Sequence, residues 1–305
     1  MDGPRCADGF TWWFILSLDG LEGWTAEGNG AGYWLIPLHP ISAAWDAKHN
    51  EIKLTADQVD SADDIEAAII SITAENTRPG TIILDGRNGA FVFTGDDRSL
   101  NLFASNLTIR GENQAIIENC DDGLFFDDFP LQNILVEGVE FICKGHGVVA
   151  SGSFGHVILS NNIFRAKING LGMAGASHDW FITGNVIETV GNGIEIAGAQ
   201  KIVITNNHLS GSTGISLREC SKFQVIENII HASHQGIMLV QGSWENLIQR
   251  NIILGVSHSG IGLESGVKDN FIVTNRVSCA SNTSCLTFDA TPDVVEMNTI
   301  AENLP

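Results

Sequence analysis

The sequence predicts an all-β fold. A right-handed parallel β-helix solenoid covers residues 80–300, with an N-terminal capping helix and a small N-terminal β segment. Three observations carry this. An asparagine recurs at Asn162, Asn185, Asn207, Asn228, Asn251, Asn275 and Asn298, at spacings of 21 to 24 residues. An aliphatic residue stands three places before each (Leu159, Ile182, Ile204, Val225, Ile248, Ile272, Val295), and an apolar one two places after (Phe164, Ile187, Leu209, Ile230, Ile253, Val277, Ile300). Between asparagines a glycine opens a second apolar alternation, as in Gly193-Ile194-Glu195-Ile196, Gly214-Ile215-Ser216-Leu217, Gly236-Ile237-Met238-Leu239 and Gly260-Ile261-Gly262-Leu263.

A period of about 22 residues, carrying three short apolar alternations, reads as one solenoid coil per repeat. Alternate residues point inward and stack on the coil below. An inward asparagine at a turn satisfies its amide by bonding the neighbouring coils, which would otherwise leave buried polar groups unpaired. Val136-Glu137-Gly138-Val139-Glu140-Phe141 fits the apolar frame with Val139 in place of the asparagine, so the amide column is expected to begin at Asn162.

Ahead of the coils, Ser61 is placed to cap a helix. Asp63 and Asp64 fall in its first turn, and Ile65, Ala68, Ile69 and Ile72 form one apolar face. Such a helix would plug the open end of a solenoid, whose first coil has no neighbour. Residues 41–60 read as a polar connector. Residues 1–40 hold Trp12, Trp13, Trp24 and Trp34, four of the seven tryptophans, and Asp19-Gly20 lies between two strand-like runs as a hairpin turn.

The net charge of −20 opposes contact with a nucleic-acid backbone or an anionic membrane, and no basic run offsets it. No apolar run reaches the roughly 18 residues of a membrane span. Six cysteines occur without a C-x-x-C pair. Cys120 and Cys143 fall at nearly matching points of adjacent coils, and Cys279 and Cys285 flank one loop. Both pairs read either as disulfides, which implies an oxidising compartment, or as buried thiols.

The repeats resemble those of the pectin-lyase-like superfamily over residues 80–300. The run Trp12-Trp13 followed by Asp19-Gly20-Leu21-Glu22-Gly23-Trp24 resembles part of a bacterial Src-homology-3-like domain. Together these imply a secreted or cell-surface bacterial protein acting on a polysaccharide by lyase or hydrolase chemistry. A non-catalytic glycan-binding or scaffold β-helix is the alternative. In the superfamily, the variable loop and the strand after it form the saccharide groove.

Chemistry on such a fold belongs to outward residues and turns. The residue before each glycine runs Asp122, His146, Asn169, Asn192, Thr213, Gln235 and Ser259, and the outward residue two past it runs Val149, Gly172, Glu195, Ser216, Met238 and Gly262. A first candidate site gathers His231, His234 and His258 with Arg218, Glu195 and Glu264: histidines as proton-transfer groups, carboxylates to orient them, and Arg218 to neutralise a sugar carboxylate. A second is Asp121-Asp122 with His146. Cys120-Asp121-Asp122-Gly123 and Gly145-His146-Gly147 resemble the D-D and G-H-G motifs of polygalacturonase-type glycoside hydrolases, although Glu195 stands where that family's R-I-K motif would place Arg. Asp121, Asp122, Asp127 and Asp128 also offer oxygens to Ca²⁺. Finally, Ile163, Val186, Ile229 and Ile252 share an outward column, which points to a covered face such as self-association.

Overall fold

The computed structural model describes residues 5–7, 10–16, 22–26, 28–29, 32–33, 50–73, 79–94, 98–126, 130–279, 285–288, 297–301 and 303. The chain divides into two units, Met1–Trp45 and Asp46–Pro305.

In the first unit, strands Arg5–Ala7, Phe10–Leu16 and Glu22–Ala26 form an antiparallel sheet. Leu16 pairs with Glu22 across the segment that contains Asp19-Gly20. Strands Gly28–Asn29 and Gly32–Tyr33 make a further antiparallel pair.

The second unit is the β-helix. Its first strand, Glu51–Thr55, pairs in parallel with Gly80–Asp85, so part of the segment read as a connector belongs to the coils. Between them lies helix α1, Ala62–Thr73. The backbone N–H and hydroxyl of Ser61 both donate to Asp64 at the third helical position, closing the helix start. Ile65 and Ile69 are fully buried, with Ala62, Ala68 and Ile72 beside them, so the apolar stripe faces the core.

From there each coil contributes strands to three parallel sheets. The first holds the strand before the ladder asparagine, as in His178–Thr183; the second the strand after it, as in Val186–Thr189; the third the glycine-led strand, as in Asn192–Ala197. Side chains of Leu159, Ile182, Ile204, Val225 and Ile248 stack fully buried in one column. The opening glycine has a steric cause. A Cβ on Gly193 would sit 2.6 Å from the Gly214 carbonyl oxygen, and one on Gly214 at 2.6 Å from that of Gly236.

The asparagine ladder begins at Asn162, which accepts the Val139 N–H at 3.1 Å. It runs through Asn185, Asn207, Asn228, Asn251 and Asn275, each amide donating to the next carbonyl oxygen. Its seventh rung is Asn303, which takes the Asn275 amide at 2.9 Å. Asn298 belongs instead to a second buried ladder with Asn246 and Asn270 at another turn. The last coil is longer, with Ile300 opposite Ile272, so the expected spacing ended five residues short. Cys120 bonds to Cys143 and Cys279 to Cys285, while Cys220 is a free, buried thiol.

Candidate functional site

The third sheet carries the outward columns in the expected register. Val149 lies opposite Gly172, Gly172 opposite Glu195, Glu195 opposite Ser216, Ser216 opposite Met238 and Met238 opposite Gly262. At the turn that feeds this sheet, Asn192 pairs with Thr213, Thr213 with Gln235 and Gln235 with Ser259. Neighbouring coils are about 4.8 Å apart, so consecutive members of a column touch.

These two columns converge at one place. Glu195, half-buried, accepts from the side-chain amides of both Asn169 and Asn192 at 2.9 Å. Asn169 lies one coil back, so the Glu195 carboxylate ties the turns of two successive coils together. On the far side of Gly172 stands His146. A Cβ at Gly172 would lie 3.6 Å from its Nδ1, and that nitrogen is buried with no hydrogen-bond partner. An unpaired buried polar atom costs on the order of 1–3 kcal/mol. The His146 backbone N–H donates to Asp122 at 2.6 Å, and Asp121 pairs with Arg98 at 2.8 Å. Gly172, without a side chain, thus lies between the coil of His146 and the coil of Glu195, and this stretch of the third sheet is termed the Gly172 notch.

Glu195 is thus bonded to Asn169 and Asn192, which continue the column of Asp122 and His146, and not to the other histidines. His234 and His258 are exposed and stack face to face, ring centroids 4.9 Å apart with 17° between planes. His231 stacks on His208 at 5.3 Å. No carboxylate orients any of these four among the described residues. Arg218 and Glu264 do not join them. Both sit where the third-sheet strands end, level with Val240, whereas His234 precedes the start at Gln235. Five strand residues separate those levels, roughly 16 Å. Asp127 and Asp128 lie outside the described residues.

Sequence patterning had placed Asn169 and Asn192 in the column of His146 without giving them a task. The usable signal was two amides in consecutive coils immediately before the motif glycine.

Stacked parallel coils with an outward polar notch define a right-handed parallel β-helix protein. Residues 169–304 match the family described as right handed beta helix region. Residues 49–213 match the periplasmic copper-binding protein (NosD) family, and the chain belongs to that family. No curated protein matches it. Among solved structures, the A-module of a mannuronan C-5 epimerase from Azotobacter vinelandii is 15% identical at a TM-score of 0.50, with 83% of this chain and 97% of that chain covered. A DFA-IIIase variant from Arthrobacter chlorophenolicus is 10% identical at 0.50, covering 82% and 94%. These likenesses establish the fold.

Copper is held by nitrogen, oxygen or sulfur donors that converge on one point. Among the described residues no group of three or more His, Cys, Asp or Glu side chains does so. In the stacked pairs the ring planes are nearly parallel, so the nitrogen lone pairs of the two rings run side by side instead of meeting. The described His, Cys, Asp and Glu side chains therefore do not form a copper centre of three or more ligands. No helix among them is long and apolar enough to cross a membrane.

Proposed function

We propose that this protein acts on a polysaccharide at the Gly172 notch, by acid–base cleavage of a glycosidic linkage of the lyase or hydrolase type. The observations that carry the reading are the Glu195 carboxylate, fixed by two amide donors, and the His146 ring against Gly172 with a buried, unpartnered Nδ1. Glu195 would take a proton from the sugar or from an attacking water. His146 would pass one to the departing oxygen, and Asp122, through the His146 backbone N–H, is a positioning residue. The similar solved structures include a mannuronan epimerase and a DFA-IIIase, which supports a saccharide as the ligand class. The Cys120–Cys143 disulfide and the family's periplasmic description support an exported protein. The antiparallel strands within residues 5–33 support the Src-homology-3-like reading of the N-terminal unit.

A non-catalytic glycan-binding β-helix is the second reading. It is favoured by Asp122 and Glu195 both already accepting protein donors. Self-association through Ile163, Val186, Ile229 and Ile252 also belongs to the proposal, supported by their shared, partly exposed column. Sedimentation of wild type against an Ile229→Lys, Ile252→Lys variant tests it; a monomeric wild type removes it.

The test of function is turnover. Wild type is incubated with a panel of polysaccharides, and both reducing ends and ultraviolet-absorbing unsaturated product are measured. Glu195→Gln should lower the rate by about 100-fold or more, the usual scale for losing a proton-transfer group, with His234→Ala unchanged. Loss in His234→Ala or His258→Ala with Glu195→Gln intact would move the site to the exposed stack. Binding without product would select the scaffold reading.

A further inference from the structure

The outward face of the first sheet carries an apolar strip along the solenoid axis. Leu135, Ile158, Phe181, Val203, Leu247 and Phe271 each stand one place before a buried core residue, and strand pairing aligns them, with Gln224 between Val203 and Leu247. At about 4.8 Å per coil the strip runs roughly 30 Å. Phe271 is 53% exposed. A sheet face of this kind buries its apolar side chains by packing on another sheet.

The charges along its two edges identify which sheet. On the edge before the strip, Lys201, Lys222, Glu245 and Asp269 follow one another in consecutive coils, all exposed, each two places before a strip position. On the edge after it stand Glu227 and Arg250, one coil apart and joined at 2.9 Å. A twofold axis lying along the strands, between the coil of Lys222 and the coil of Glu245, reverses coil order in a second copy and sets each edge against its own counterpart. Lys222 then faces Glu245 of the second copy, Lys201 faces Asp269 and Glu227 faces Arg250, each pairing made twice. The adjoining column also fits. Trp244, 37% exposed, falls on the small Ser221, and Lys268 falls on the neutral Gln200. Asp179, already paired with His178 at 2.8 Å, falls on Met297. Parallel axes would pair only four of the six edge charges, leaving Lys201 opposite Asn206 and Asp269 opposite Thr274.

We propose that the first-sheet face is a homodimer surface, on which a second copy of this chain docks with its solenoid axis reversed, Phe271 against Val203 and the edge charges in opposite-sign pairs. The surface is independent of the Gly172 notch and lies on a different sheet from the Ile163 column.

The experiment is sedimentation velocity of the full chain over a concentration series. Wild type should form a dimer that weakens as salt rises. Lys201→Glu with Lys222→Glu, and separately Glu245→Lys with Asp269→Lys, should each raise the dissociation constant at least about tenfold, because each creates four like-charge contacts per dimer. An equal mixture of these two variants restores every opposite-sign pairing and should associate as wild type does, a recovery that misfolded variants could not show. Phe271→Asp should weaken the dimer while its thermal melt stays that of wild type. A monomeric wild type overturns the proposal, as do swapped variants that dimerise as wild type or a mixture that stays monomeric. Loss of association confined to the Ile229→Lys, Ile252→Lys variant would move the contact to the second sheet and overturn this one.

Discussion

The side-chain amide of Asn228 donates to the carbonyl oxygen of Asn251 in the next coil at 3.0 Å, and the Asn228 backbone N–H donates to the same atom at 3.0 Å. Asn228 also donates to the Ile204 carbonyl at 2.8 Å and accepts both equivalent donors of Asn207. One buried side chain thereby satisfies polar groups in three coils.

Asn228→Leu leaves several of those groups buried and unpaired. The expected cost is about 3 kcal/mol or more, from roughly 1–3 kcal/mol for each orphaned group. Asn303→Ala, at the half-buried last rung, should cost much less. Urea unfolding of the two variants checks this; equal losses would mean the ladder is not what ties the coils.

The Arg87 guanidinium, with Lys53 and Asn113, holds the buried Asp85 carboxyl well below the usual carboxylate range, against the opposing effect of burial. The depressed folded value sets the sign. The stabilisation is present above the unfolded carboxylate range, near pH ~4, and is lost as pH falls toward the folded value. The melting temperature of wild type should therefore drop steeply on acidification below that range, and Asp85→Asn should show a shallower drop. Parallel profiles would assign the acid sensitivity elsewhere.

Burial pushes the Cys220 thiol up to about 11, with no opening to solvent. Thiol reagents at neutral pH should leave the Cys220 peptide unlabelled in the folded protein and label it fully in denaturant, as read by peptide mass mapping. Reduction of Cys120–Cys143, which spans 23 residues, should cost about 3 kcal/mol.

Gly172→Leu fills the notch from an outward position without a positive backbone angle. Its stability should stay within about 1 kcal/mol of wild type, since surface changes seldom cost more. Glycan turnover should nonetheless fall at least about tenfold, the cost of excluding one good contact. Unchanged turnover would show that the floor is not used.

Much of this architecture was legible before any coordinates. The solenoid, the capping helix and the start of the ladder at Val139 and Asn162 follow from a period set by side-chain alternation, a property each repeat carries on its own. The last rung was misplaced because the final coil is longer, and spacing alone cannot distinguish Asn298 from Asn303 when both are buried amides in parallel ladders. The site was half legible. Column positions of Asp122, His146 and Glu195 follow from register, but the bonds of Glu195 to Asn169 and Asn192 depend on side-chain rotamers that register does not give. The grouping of Arg218 and Glu264 with His234 and His258 failed because nearness in coil number hides separation along the strand.

The most direct test of the central claim is a crystal structure of Glu195→Gln soaked with an oligosaccharide drawn from whichever polymer wild type degrades or binds. A sugar ring over Gly172, within hydrogen-bond distance of His146, is the result this account requires. A ring lodged on the His234–His258 stack, with the notch bare, would contradict it.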